Sequence, residues 1–214
     1  MKKLDLKKEL KHLYNPTSGK PVIVEVPRMN FIMIDGEGDP NTSETFQKAL
    51  EVLYGLSYTI KFASKKYLGI DYPVMALEGI WWGTPKGLTR FTSDDKADWK
   101  WTLMMMQPGH ISDEFFEKQK EVLREKKDPQ MLDESRFLSF EEGLVVQQMH
   151  IGPYSEEWRT VEPMHSWAEE QGYQLIGKHH EIYIGDPRRS APEKLRTVLR
   201  HPIGRIDTKK SNID

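Results

Sequence analysis

Glu181 and Tyr183 stand two apart in the stretch HHEIYIGDP, residues 179–187, and alternate there with Ile182 and Ile184. The alternation predicts a strand with a carboxylate and a phenol on one face and isoleucines on the other. A carboxylate in a water-poor cleft can serve as a general base or as the countercharge of a cation, and a phenol beside it can stack or donate a hydrogen bond. On residue types alone, the solvated face of an antiparallel sheet explains the pair equally well. Trp81 and Trp82 in GIWWG, and Trp99 and Trp101 in WKW, supply a second ingredient. Period two puts Trp99 and Trp101 on one face, and indoles offer a flat or cationic ligand both area and quadrupole attraction. Each tryptophan taken singly is better explained by core filling; four in so short a span, beside a strand glutamate, argue for an aromatic cage. Tyr154, in the GPY turn before a helix, is a second phenol, with packing of its ring as the plainer alternative. Glu157, in the first turn of that helix, is the second-rank base, and Glu78 lies in the strand LEGIWW.

Other constellations carry less. His179 and His180 are neighbours in a strand, so they point to opposite faces and cannot chelate one ion without outside ligands; neither a metal nor another cofactor is expected. GEG and IGPYS lack the spacing of a phosphate-cradling loop, and no serine sits in a nucleophile elbow. The 214 residues contain no cysteine, which excludes disulfides, thiolate metal sites and cysteine nucleophiles, and fits a reducing compartment such as the cytoplasm. Thirty-one basic against thirty-three acidic residues give a net charge of -2, so nucleic acid is not an expected partner. No apolar run reaches the length of a membrane span, and MKKLDLKKELKHL lacks the apolar segment of a signal peptide. A small hydrophobic or aromatic molecule is the expected partner, and a homodimer is compatible with the sequence.

The elements that must position these groups follow from periodicity. Leu6, Leu10 and Leu13 predict a short amphipathic helix with solvated lysines. VIVEVPRMNFIMIDGEG reads as extended chain, with Pro27 marking an edge or bulge. Asn41 to Ser43 offer caps for a helix with Phe46, Ala49, Leu50, Leu53 and Tyr54 on its apolar stripe, running to about Tyr67. Two strands, VMALEGIWWG and WKWTLMMMQ, are joined by a charged, threonine-rich connection. A helix capped by Ser112 ends before Pro129. Then FLSFEEGLVVQQMHIGPYS is extended, WRTVEPMHSWAEEQG is helical, HHEIYIGDP is a strand, and PEKLRTVLRHPIGR is read as a strand because Pro202 would end a helix early. We divide the chain into an N-terminal helical extension, 1–19, a single domain, 20–206, and a flexible tail, 207–214. Within the domain lie a first half at about 20–107, a connector helix at about 111–128 and a second half at about 137–206.

The two halves form a weak repeat. MIDGEGDPNTSETFQKALEVLYGLSY lies over MHIGPYSEEWRTVEPMHSWAEEQGY, and LEGIWWGTP over HEIYIGDP, with a one-residue offset between Glu78 and Glu181 that a bulge at Gly79 would explain. HIGPYSE, a tryptophan-bearing helix, EQGY, HHEIYIGDP and APEKLRTVLRHPI, in that order, resemble the GyrI-like small-molecule-binding domain, which also forms the effector-binding part of multidrug-responsive transcription activators. The resemblance implies an α+β fold of two pseudo-symmetric strand-helix-strand-strand units enclosing a ligand cleft, with Glu181 facing the ligand. No helix-turn-helix accompanies it, so the chain looks like a stand-alone member. GIWWG further resembles the tryptophan-rich branch, which includes hydrolases that open the cyclopropane of duocarmycin-type DNA alkylators. As such an enzyme the protein would use Glu181 as general base and a phenol, Tyr154 or Tyr183, as oxyanion donor, with Trp81, Trp82, Trp99, Trp101, Tyr183 and Glu78 lining the cleft. The alternatives are a non-catalytic module that sequesters flat hydrophobic or cationic xenobiotics, or a regulatory partner of gyrase or of a transcription factor.

Overall fold

The computed structural model describes residues 1–17, 19–83, 98–185, 187 and 189–206. The threonine-rich connection and the tail expected at 207–214 lie outside these residues. In chain order the strands are β1 (Lys2–Lys3), β2 (Val22–Val26), β3 (Met29–Glu37), β4 (Ile70–Asp71), β5 (Leu77–Trp82), β6 (Lys100–Gln107), β7 (Arg136–Phe140), β8 (Gly143–Ile151), β9 (Tyr173–Leu175), β10 (His179–Tyr183) and β11 (Arg196–Arg205). The helices are α1 (Leu6–Glu9), α2 (Lys11–Tyr14), α3 (Glu44–Ala63), α4 (Asp113–Lys127) and α5 (Trp158–Glu170). No helix among the described residues is long and apolar enough to cross a membrane.

The main sheet runs β2-β8-β11-β10-β5-β6-β3-β7, with β9 paired to β11. It displays the repeat directly, since β3-α3-β5-β6 and β8-α5-β10-β11 are equivalent units that meet at the antiparallel pair β5–β10. Chain connectivity bends this sheet. β2 and β3 stand at nearly opposite ends of the order, yet only Pro27 and Arg28 separate them, a link that spans ~10 Å. A flat sheet would set them roughly 29 Å apart at the usual ~4.8 Å strand spacing. β7 and β8 repeat the constraint across Glu141 and Glu142. The sheet therefore curls until its edges approach, and Pro27 carries the chain across the seam.

Curling gives the sheet an inner and an outer face. The inner face holds Phe31, Met33, Met104, Met106, Val145, Met149, Ile182 and Val198, and Leu6, Leu13 and Tyr14 cover it. The N-terminal segment does not form the single helix that its leucine spacing predicts. It breaks at Leu10 into two short turns, so that Leu13 can be fully buried against the sheet. The helices cover the outer face. α3 is capped by Ser43, whose hydroxyl accepts from the Phe46 amide at 3.3 Å, and it buries Ala49, Val52, Leu53, Leu56 and Ile60. Tyr54 is 39% exposed rather than part of the stripe, because it lies one residue beyond the Leu53 row and so about 100° around the helix. α3 ends in a π-helical turn, Ser64–Leu68.

The inner face also encloses charge. His180 pairs with Glu142 at 3.0 Å and with Glu78 at 3.1 Å, and Arg200 Nη1 donates to Glu142 at 3.1 Å. Tyr14 donates to Glu78 at 2.7 Å, while Arg200 and Gln147 donate to the carbonyls of Leu13 and His12 at 2.9 and 2.7 Å. Two carboxylates thus face two cations, and the same groups tie down the N-terminal turns. Glu142 is held at about 2; burial would raise it, but the charges and hydrogen bonds of His180 and Arg200 prevail. Glu78 and Tyr14 stand one step further, and His201 also feels the Glu142 charge.

A carboxyl depressed from 4.5 to about 2 contributes stability that is complete above the unfolded value and lost as pH falls through the folded one, about 3 kcal/mol in all. Glu142→Gln should therefore be about 3 kcal/mol less stable than the parent near neutrality, with a gap that narrows as the pH falls toward 2. Urea unfolding across that range checks this, and a gap independent of pH would show that Glu142 is not ionised in the fold.

Candidate functional site

β5 and β10 form the middle of the sheet, while α3 packs on β3 and β6 and α5 on β8, β9 and β11. The outer face of the central pair therefore lies between the two helices. β10 alternates as its sequence predicts, with His179, Glu181 and Tyr183 on this outer face and His180 and Ile182 on the inner one. Facing them across the ladder, His179 pairs with Trp81, Glu181 with Gly79 and Tyr183 with Leu77.

Gly79 is not a bulge, since the β5–β10 ladder runs through it one residue to one. It makes room for a ring. A Cβ there would lie 2.7 Å from the indole nitrogen of Trp81, so only glycine lets that indole fold back along its own strand, over the position facing Glu181. From there Trp81 Nε1 donates to the Tyr183 hydroxyl at 3.1 Å, and that hydroxyl donates to Glu181 Oε2 at 2.7 Å. An ionised carboxylate only accepts, so His179 Nε2 is the donor in its 3.2 Å contact with Glu181 Oε1. Phe46 stacks on Trp81 from α3, and Trp99 meets it edge to face at 5.7 Å. Tyr154, in a 3-10 turn, meets Tyr183 edge to face at 5.6 Å and is 38% exposed, at the solvent side of the cluster.

Glu157, at the start of α5, is buried beside Glu181 and Thr197 of β11. Burial and the charge of Glu181 push its carboxyl well above the ordinary range, so it holds its proton. Burial acts on Glu181 in the same sense, but His179, Tyr183 and Glu157 all favour its charged form and carry it below the ordinary range. The two carboxyls thus share one proton, which resides on Glu157. Tyr183 is pushed well upward by burial and by the Glu181 charge, and remains a phenol. Glu157 Oε1 and Thr197 Oγ1 are buried without a hydrogen-bond partner of good geometry. The Glu181 side chain is 12% exposed, against 0% for His179.

The structure thus brings together Glu181, Tyr183, Tyr154, Glu157, Trp81 and Trp99 of the residues that the sequence singled out. Glu78 is not among them; it lies on the inner face, paired with Ile182 in register and held by Tyr14 and His180. Trp82 alternates away from Trp81, and its ring lies under the Lys178 ammonium at 3.3 Å. Trp101 is fully buried against Phe46, its ring over Gly36. His179 and Thr197 were missed by sequence reasoning. His179 was legible, because the alternation that selects Glu181 and Tyr183 also places it on their face; Thr197 comes from another strand and had no local signal.

Gly79→Ala tests how tightly the indole is held. The backbone of Gly79 permits alanine, so its cost is steric alone, and displacement of Trp81 should destabilise the protein by about 1–3 kcal/mol in urea unfolding. A change below ~0.5 kcal/mol would mean that the ring moves freely.

Similarity to known proteins agrees with this architecture. Three solved structures from Listeria innocua match the chain over their whole lengths. An uncharacterised conserved protein is 41% identical with a TM-score of 0.86 over 94% of this chain. A protein described as a hydrolase is 40% identical with a TM-score of 0.83, also over 94%. A hydrolase encoded by lin2189 is 43% identical with a TM-score of 0.84 over 95%. No curated protein matches. Residues 19–203 match the family model of the GyrI-like small molecule binding domain, and with a match over most of its length the chain belongs to that family.

Proposed function

We propose that the protein is a hydrolase that captures flat hydrophobic molecules between its two helices and adds water to a cyclopropane conjugated with a carbonyl. The observation that carries this reading is the ionised Glu181 held by Tyr183 and His179 beside a protonated Glu157, under the indole of Trp81. The hydrolase descriptions of two relatives about 40% identical support it as well. Glu181 takes a proton from a bound water as the water oxygen bonds to a ring carbon. The cyclopropane C–C bond breaks, and its electron pair passes through the conjugated system to the carbonyl oxygen. Tyr154 is the proposed donor to that oxygen, which is then protonated, so one water is added in all. Glu157 stays neutral and helps to keep Glu181 charged, while Trp81, Trp99 and Tyr183 hold the planar ligand in line with the water.

Incubation with a cyclopropane-bearing alkylator should yield product one water heavier over many equivalents. Ligand recovered unchanged at one equivalent would instead establish a sequestering protein. Glu181→Gln keeps size but loses charge and basicity, so turnover should fall by roughly 100-fold or more while binding of a neutral planar ligand stays within a few-fold. Turnover close to the parent's would remove Glu181 as the base. Glu157→Gln imitates the protonated carboxyl and should keep turnover within about tenfold; a loss as large as that of Glu181→Gln would make Glu157 a proton donor or the base itself.

A further inference from the structure

Beside Glu181, three elements each send a histidine into one buried volume. His179 comes from the start of β10, His201 from the outer face of β11 and His165 from α5. They are 0%, 3% and 6% exposed, and one nitrogen of each lies within 4.8 Å of the other two. His165 and His201 meet edge to face with centroids 4.8 Å apart, and His179 and His201 are 6.0 Å apart. Nε2 of His165 and Nδ1 of His201 are buried with no hydrogen-bond partner. Most buried side-chain nitrogens in folded proteins have one, so two orphans in the same cluster require an explanation.

We propose that His165, His179 and His201 bind a transition-metal ion of the zinc class. Three imidazoles without thiolate suit Zn(II), and by the same donor set Co(II) or Ni(II), rather than the oxygen-seeking Mg(II) or Ca(II). A neutral imidazole keeps one ring nitrogen with a lone pair to donate, which is the form in which histidine binds a metal. His179 also lies 3.2 Å from Glu181 through Nε2, and a carboxylate behind a coordinating histidine is the usual outer partner of such sites. With metal–nitrogen bonds of about 2.0–2.1 Å, a tetrahedral ion holds its nitrogens roughly 3.4 Å apart, so the rings close by at most roughly 1.4 Å. The ion's charge is offset by Glu181, and its bonds tie α5 to β10 and β11. The site stands apart from the hydrolase reading, because metal uptake is measured without turnover.

The whole chain, stripped of metal, is titrated with Co(II) by visible absorption and with Zn(II) by equilibrium dialysis. One equivalent at micromolar free metal, with the visible bands of a low-coordinate cobalt site and a rise in thermal midpoint on adding Zn(II), is the expected result. His165→Leu and His201→Leu remove a ligand while filling its volume with apolar atoms. Each should weaken uptake by at least about 100-fold, while His12→Ala, at an exposed position, leaves it unchanged. X-ray absorption of the zinc-loaded parent reads the donor shell without any variant, and three imidazoles are expected. No saturable uptake, uptake indifferent to both leucine variants, or a shell with fewer than two imidazoles would each overturn the site.

Discussion

Strict alternation along β10 is the constraint on which the rest of the structure depends. Five residues at the centre of the sheet point alternately into its closed interior and out between the helices, so His180 joins one buried charge system and His179 and Glu181 another. The systems share a backbone but no side chain. A slip of one residue in this strand would exchange them, placing Ile182 beside Trp81 and Glu181 among the methionines of the inner face. The balanced charges inside and the histidine and phenol outside therefore specify the same register twice.

The inner network has a different role from the outer one. Glu78, Glu142, His180 and Arg200 are essentially without solvent contact, and charges so placed seldom add net stability over an apolar core of the same volume. They do fix geometry. Arg200 and Gln147 seek the carbonyls of Leu13 and His12, and Tyr14 seeks Glu78, so the N-terminal turns dock in one orientation over a face whose apolar residues alone would accept several. The outer network differs in its margin, where the Glu181 side chain is part-buried and Tyr154 is exposed, whereas every charged side chain of the inner one is sealed.

The sequence carried the order of strands and helices, the repeat and the face of Glu181, because each rests on local periodicity or on comparison of the two halves. It did not carry the pairings that join distant segments. Curling of the sheet follows from two short links, but only after the strand order is known. Glu78 illustrates the limit: aligning the halves set it beside Glu181 with an offset left open, and the β5–β10 register then places it on the inner face, across the sheet from Glu181. The same limit hid the histidine cluster, whose members are separated by 14 and 22 residues along the chain. His179 and His180 do face opposite ways, yet His165 and His201 arrive from α5 and β11 as outside partners that no spacing announces.

The chemistry open to Glu181 is bounded by what keeps it charged. Hydrogen bonds from His179 and Tyr183, together with a neutral Glu157, lower its proton affinity, so it is nearly always ready to accept a proton but is a weak acceptor. Such a base contributes little to water attack on an unactivated amide or ester, where the nucleophile must approach hydroxide in character. It suffices where the electrophile already carries much of the driving force. A strained three-membered ring whose leaving electrons pass into a conjugated carbonyl meets that condition, since its opening needs water held in line more than water stripped of its proton. Trp81, buried at 3% exposure and folded over Gly79, is hydrogen-bonded to the phenol that holds the carboxylate, so the aromatic cluster and the base are one mechanical unit. Placement of the base therefore depends on that indole.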